Sequence, residues 1–366
     1  MKGQNALEAS FNQAADSSVI NNSHGRKMKK PVRIILFLAI FALLFAVFVQ
    51  VFHFKYGKLI EQFYTLPKDS VDVLIVGSSH AYRNIDPNVF FEESGITSYI
   101  IGSPGQRIWN AYYYLREALK TQKPKVVVLE CYYVNSEKEY ADSATAIKAA
   151  VGMKWSPEYF DQLNASVKDK DRLIDYYLMF PWYHTRYKEL SKEDVLPYYG
   201  NDYYRNFLGY RPILNISEKK LPEGIGEITE TRDLLDKVMT YLDKIHDLSR
   251  EYGFDLLFVI TPYCKSAAEK QPYYNALAVY AGEREIPLIE GNRMYRELQM
   301  DGSKDFEPGD HLTLSGALKV SKYLNDYLKS HYQLEDHRGD SYYQRWERNS
   351  EYMRTRIYEY SDDEVE

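Results

Sequence analysis

The amino-acid sequence predicts a three-layer α/β/α sandwich on a five-stranded parallel sheet, preceded by one transmembrane helix. Three observations carry this. Short, nearly unbroken apolar runs recur along the chain, as expected for parallel strands buried on both faces. Longer segments with helical spacing separate them, which implies right-handed crossovers and a layered α/β domain. A separate run of sixteen apolar residues, Ile34 to Val49, lies ahead of all of these.

The chain has 366 residues, of which 45% are hydrophobic, enough for a full core with some left for extensions. The net charge of −6 argues against nucleic acid as a partner. Tyrosine occurs 35 times, which a general composition bias explains as readily as sugar stacking. Residues 1–33 read as a polar, Asn- and Ser-rich disordered tail on the cytoplasmic side. Residues 34–53 are close to the length needed to span a lipid bilayer. Arg26, Lys27, Lys29, Lys30 and Arg33 crowd the N-terminal side of that span, so the positive-inside rule puts the remainder outside the cell. Val-Phe-His-Phe-Lys-Tyr-Gly after the run contains no small-x-small cleavage site, which favours an uncleaved anchor over a removable signal peptide.

Residues 54–70 read as a stalk. Val71 to Val76 is the first strand and stops at Gly77, followed by Ser78-Ser79-His80. Glycine permits a tight turn, and a serine just past a strand end stands where open α/β sheets bind ligands. The same pattern also suits a plain βα turn in which the serine caps the next helix. Ile85 to Ser94 suits a short helix. Thr97 to Ile101 is the second strand and runs into Gly102-Ser103-Pro104-Gly105-Gln106. Arg107 to Thr121 has helical spacing, and Val126 to Leu129 is the third strand, ending at Glu130-Cys131. Residues 136–230 lose the alternation and are rich in Tyr, Trp, Lys and Asp, including Trp155, Trp182, Tyr183 and His184. They read as a helical insertion or lid without a core pattern of its own. Thr231 to Tyr252 is a long amphipathic helix capped by Gly253. Asp255 to Thr261 contains the fourth strand, Tyr273 to Glu283 is helical, Ile286 to Ile289 is the fifth strand, and Ser315 to Tyr327 is the last core helix. The tail 334–366 is charged; from residue 335 on it holds ten acidic and five basic residues, and reads as a surface amphipathic helix or a frayed end. Cys131 and Cys264 each follow a strand. A disulfide and two free thiols both fit, and no metal-ligand spacing involves them.

A second motif is Asp305-Phe-Glu-Pro-Gly-Asp-His-Leu-Thr-Leu-Ser-Gly-Ala317. A histidine in a Gly/Pro loop before a helix is free to face a site, and an imidazole is what a serine hydroxyl needs to become a nucleophile. With Gly77-Ser78-Ser79 at one end and His311-Leu312-Thr313 with Gly316-Ala317 at the other, the chain resembles the SGNH/GDSL hydrolase superfamily from about residue 71 to 333. The Gly-Ser-Ser-His form and the anchor look most like its bacterial surface branch, which includes proteins of lipoteichoic-acid D-alanylation and alginate O-acetylation.

The resemblance implies a flavodoxin-like sheet with Ser79 as nucleophile and His311 as general base. The oxyanion hole would be the N–H of Ser79 with Gly102 or Gly105. It implies no cofactor, a cell-surface polymer as substrate, and a multi-pass membrane O-acyltransferase as a possible partner. The family's acid stands three residues before the histidine, where this chain has Pro308. Glu307, Asp310 or Asp305 could take its place, or a backbone carbonyl could orient the imidazole. The third-block Gly-x-Asn-Asp is absent, and Asn135 is the nearest asparagine after the third strand. His80 and Gln106 are candidates for the pocket wall, although His80 equally suits packing against the first helix. Arg83 is a candidate for an anionic substrate or a surface position. The expected activity is that of an extracytoplasmic serine esterase or O-acyltransferase. The alternative is a silent scaffold of the same fold, motivated by Pro308.

Overall fold

The computed structural model describes residues 29–52, 57–179, 183, 186–190 and 207–358. Residues 1–28 of the expected tail, Trp182 and His184, and 359–366 lie outside them. Helix α1, Lys30–Phe52, is exposed at every residue from Lys30 to Phe48, and by length and composition it can cross a membrane.

The remaining described chain is one compact unit. Its sheet holds β1 (Val73–Gly77), β2 (Ser98–Gly102), β3 (Val126–Glu130), β4 (Asp255–Ile260) and β5 (Leu288–Glu290), all parallel, in the order β2-β1-β3-β4-β5. This is the flavodoxin-like order. Strands β1, β2 and β3 are buried at every position, which explains their unbroken apolar runs.

Helices cover both faces. Ser79–Asn84 (α2) and Pro87–Ser94 (α3) share one side with Leu314–His331 (α4), and Ile108–Ala118 (α5) packs with Asp236–Tyr252 (α6) on the other. Helix Ala267–Glu283 precedes β5. It begins six residues before the expected start and carries Pro272 inside it, where one i→i−4 hydrogen bond is forgone.

Three segments differ from the sequence expectation in how they sit. The stretch read as a stalk forms a helix, Gly57–Phe63, and buries Ile60 and Phe63; the Phe63 ring meets Tyr99 of β2 edge-on at 5.4 Å. The described part of the insertion packs onto α5: Asn110 Nδ2 donates to Gln162 Oε1 at 2.7 Å, and Trp109 Nε1 donates to Ser166 Oγ at 3.0 Å. Tyr159, Leu163, Phe207 and Tyr210 join the common core, so these residues have no need of a core pattern of their own. The tail contributes the helix Gln344–Met353, which rests on α3 and buries Trp346 and Met353. Cys131 and Cys264 are both free thiols, the first buried and the second partly so.

Candidate active site

β1 leads the chain directly into the site. Gly77 does not adopt a positive φ, so the reason for glycine is space. A Cβ there would stand 2.5 Å from Glu130 Cβ. Ser78 caps α2 by accepting from the His80 N–H, and Ser79 is the first helical residue. The expected first helix at residues 85–94 is therefore preceded by a short one that starts at the serine itself. Ile85 and Asp86 separate the two, with Asp86 capping α3 and Pro87 as its first residue.

The histidine arrives from the other end of the domain. Glu307 N–H donates to the His311 carbonyl at 3.2 Å, and Phe306 bridges Leu312, so residues 307–311 form a closed loop. The side chains at its two ends leave side by side. Glu307 Oε1 lies 2.7 Å from His311 Nδ1, and His311 Nε2 lies 2.8 Å from Ser79 Oγ. Gly309 leaves room for the folded-back carboxylate, which a Cβ at 309 would meet at 2.4 Å. The partner of the imidazole is thus the residue four positions before it, on the far side of the proline.

Electrostatics sets the tautomer. Burial acts to raise the Glu307 carboxyl, but the hydrogen bonds from His311 and the Gly309 N–H, with the charges of His311 and Arg83, bring it below the usual range. A carboxylate can only accept, so Nδ1 carries the imidazole proton and Nε2 is left to accept from the Ser79 hydroxyl. Burial lowers the His311 pKa, opposed by the Glu307 hydrogen bond and assisted by Arg83. Burial prevails, and the resting pair is a neutral imidazole beside a carboxylate.

The other candidates fall into distinct places. Asp310 turns away from the imidazole: Oδ2 accepts from Tyr132 OH at 2.9 Å and Oδ1 from the Lys265 N–H at 2.9 Å, with Lys270 Nζ at 3.7 Å. Asp305 is fully buried and holds the Asp301 N–H, Ser315 Oγ and Lys319. Gly102 pairs with Gly77 across β1 and β2, and a Cβ there would stand 3.0 and 3.2 Å from the Gly77 and Ser78 carbonyl oxygens. Gly105 sits in the following turn with φ +68°. Gln106 is buried beside it; its Oε1 accepts from Ser103 Oγ at 2.9 Å, and its Nε2 has no hydrogen-bond partner among the described residues. Asn135 closes the 3₁₀ turn Tyr132–Asn135, and the residue that β3 brings against the serine turn is Glu130. His80 is buried and stacks on Tyr132 at 3.7 Å, with His311 at 4.9 Å. Burial, with the charges of His311, Lys270 and Arg83, keeps it neutral.

Two side chains in the site are missed by the sequence reading. Asn84 Oδ1 accepts from the Leu312 N–H at 2.9 Å, while Nδ2 donates to Thr261 Oγ1 at 2.8 Å and approaches His80 Nδ1 at 3.2 Å. It ties the serine helix to the histidine loop and to the end of β4. Its i,i+4 spacing from His80 could have hinted at a shared face. Glu130 is the second. Among the described residues, no group of three or more His, Cys, Asp and Glu side chains is placed to hold a metal ion.

No protein-family model matches the sequence, and no curated protein matches it. Among solved structures, the chain is similar to a protein of Bacteroides fragilis NCTC 9343 proposed to be an acylhydrolase, at 16% identity and a TM-score of 0.34, over 74% of this chain and 93% of that one.

Proposed function

We propose that this chain is a membrane-anchored, extracytoplasmic serine esterase or O-acyltransferase that works through an acyl-Ser79 intermediate. Its substrates are acetyl-like esters of a cell-surface polysaccharide or teichoic-acid-like polymer. The observation that carries the reading is the continuous hydrogen-bonded chain Ser79–His311–Glu307, with links of 2.8 and 2.7 Å. This is the arrangement that activates a serine hydroxyl.

In the forward step Ser79 Oγ attacks the ester carbonyl carbon while its proton passes to His311 Nε2. Glu307 holds the imidazole and offsets the charge it gains. The carbonyl oxygen becomes an oxyanion. The Ser79 N–H, in the first turn of α2, has no intrahelical acceptor and is available to it, and the turn after Gly102 is the second donor in this reading. The tetrahedral intermediate collapses, the C–O bond to the leaving alcohol breaks, and His311 returns the proton to that oxygen. Water or a sugar hydroxyl then attacks the acyl-serine by the same route reversed. Hydrolysis and transfer differ only in this acceptor. In the transfer case a membrane O-acyltransferase would supply the acyl group. The scaffold alternative was motivated by Pro308, and Glu307 reaches His311 without that position.

Covalent labelling tests the reading. Full-length protein in detergent, treated with a fluorophosphonate, is expected to carry the adduct at Ser79. Labelling should vanish in Ser79→Ala and fall steeply in His311→Ala. Folded wild-type protein that takes no label would favour the scaffold.

The pH profile is a second test. His311 must be neutral to take the proton, and burial holds its pKa below the ordinary histidine value of about 6.5. On a small ester, the acid limb of kcat/KM that His311 sets is expected to lie below that value. Arg83 disfavours the imidazolium. Arg83→Gln should therefore move the acid limb to higher pH, and an unmoved limb would count against this placement of charge.

A further inference from the structure

We infer that Glu130 is the positioning residue of the nucleophile, a buried carboxylate that clamps the Ser78–Ser79 turn across the switch point of the sheet. The inference rests on the serine-hydrolase reading above and assigns a function to a group that reading does not use.

The topology puts Glu130 there. β1 and β3 are neighbours, and their chains leave for β2 and β4 on opposite sides, so the ends of β1 and β3 flank the crevice of an open α/β sheet. Glu130 is the last residue of β3 and Gly77 the last of β1. The Glu130 stem crosses the space where a side chain at 77 would stand. Its carboxylate then accepts three hydrogen bonds. Oε2 takes Ser78 Oγ at 2.7 Å and the Ser78 N–H at 3.2 Å, and Oε1 takes the Tyr132 N–H at 2.6 Å.

Each of these contacts leads to the catalytic groups. Ser78 Oγ also accepts from the His80 N–H, so the carboxylate fixes the cap of the helix whose first residue is Ser79. The other arm fixes Tyr132, whose ring stacks on His80 and whose hydroxyl meets Asp310 and Lys270, beside the histidine loop. One buried carboxylate therefore sets the serine turn and, through Tyr132, the ring that stacks on His80 next to His311. A neutral, apolar side chain of this length would leave three donors unsatisfied in the interior.

Three donors and no acceptor suit the ionised form. A protonated carboxyl would bring its own O–H into a shell made of donors. Burial nevertheless raises the Glu130 pKa to about 7, against the Ser78 and Tyr132 hydrogen bonds that lower it. Among the described residues no ion pair joins it. The titratable groups that feel its charge, Cys131 beside it in sequence, Tyr133 of the following turn, Tyr263 after β4 and Tyr274 of the helix 267–283, are all themselves pushed upward by burial and stay neutral. The clamp is thus expected to tighten as pH rises through neutrality.

The test is the pH dependence of kcat and KM for p-nitrophenyl acetate, using full-length protein in detergent. Wild type should show a step in kcat near pH 7 in addition to the lower acid limb from His311. Glu130→Gln keeps size and one acceptor but turns an amide NH₂ toward a donor. It is expected to lose about tenfold in kcat at pH 8–9, with KM unchanged and the step near pH 7 gone. Ser78→Ala removes the same contact from the other side, and the double variant should lose little more than either single one. The inference is overturned by a Glu130→Gln profile that keeps the neutral step, or by losses that simply add. It is also overturned, together with the hydrolase reading, if folded wild type shows neither turnover nor fluorophosphonate labelling. Turnover and labelling at Ser79 with an unaltered Glu130→Gln profile would remove the clamp alone.

Discussion

Glu307→Ala is expected to lower kcat for ester hydrolysis by about 10³–10⁴-fold, the scale of loss when the acid of a serine triad no longer serves its histidine. The carboxylate does two things in this site. It fixes the proton on Nδ1, so that Nε2 faces Ser79 Oγ as an acceptor, and it offsets the charge of the imidazolium that forms when the serine proton is taken. Alanine removes both. Glu307→Gln retains an oxygen that can accept from Nδ1 and should recover part of the loss, because orientation survives while the charge does not. Asp310→Asn is the discriminating control. Its carboxylate is engaged by Tyr132 and the Lys265 N–H, and the variant is expected to stay within about threefold of wild type, since neutral hydrogen bonds can replace these. A loss in Asp310→Asn as deep as in Glu307→Ala would sink the assignment. The substrate is p-nitrophenyl acetate, with kcat and KM measured separately, because a fault in the triad lowers kcat whereas a fault in binding raises KM.

The difference between Asp310 and Glu307 shows where sequence reading stops. Both were open as substitutes for the missing acid, along with Asp305, because a short loop with Pro and Gly has no period from which to infer side-chain direction. The loop-closing bond from Glu307 N–H to the His311 carbonyl decides the matter, and it is a property of folded backbone. The strands are a contrasting case. All five apolar runs became strands with boundaries within about two residues, since burial on both faces of a parallel sheet leaves a continuous apolar signature. Helix α2 left no such mark. Ser-His-Ala-Tyr-Arg-Asn is six residues long, with a polar side chain buried at two of its positions, His80 and Asn84. Glu130 was invisible for a related reason. An acidic residue at a strand end reads as the beginning of a solvated loop, and only the approach of β1 beside β3 turns it into a buried acceptor. Gly77 was noticed for its turn, and its actual constraint is the side chain of that same glutamate.

Trp346→Ala is expected to destabilise the domain by about 3–5 kcal/mol, as for other fully buried large aromatics, and urea denaturation measures it. In sequence Trp346 sits among Arg345, Glu347 and Arg348, in a segment whose charge suggests a solvated tail. In the fold it is completely buried, and its Nε1 donates to the Ser98 carbonyl at 2.9 Å. β2 is an edge strand, and an edge with unpaired carbonyls invites further pairing. Here the indole occupies one carbonyl of that edge, and the Leu208 carbonyl accepts the Ile100 N–H at 3.0 Å. Contacts on either side hold the strap in place. His337 Nε2 lies 2.6 Å from Asp72 Oδ2, and Tyr358 OH donates to Asp86 Oδ2 at 2.6 Å, the carboxylate that caps α3. Alanine at 346 would leave a large cavity and an open edge carbonyl together. Glu351→Ala on the exposed side of the same helix should change stability by no more than about 0.5 kcal/mol, which separates burial of the indole from helix propensity. If Trp346→Ala costs under about 1 kcal/mol, the strap is a removable extension and the domain ends near residue 333. If it costs the full amount, the tail is part of the core that holds β2, and through Gly102 and Gly77 it supports the serine turn.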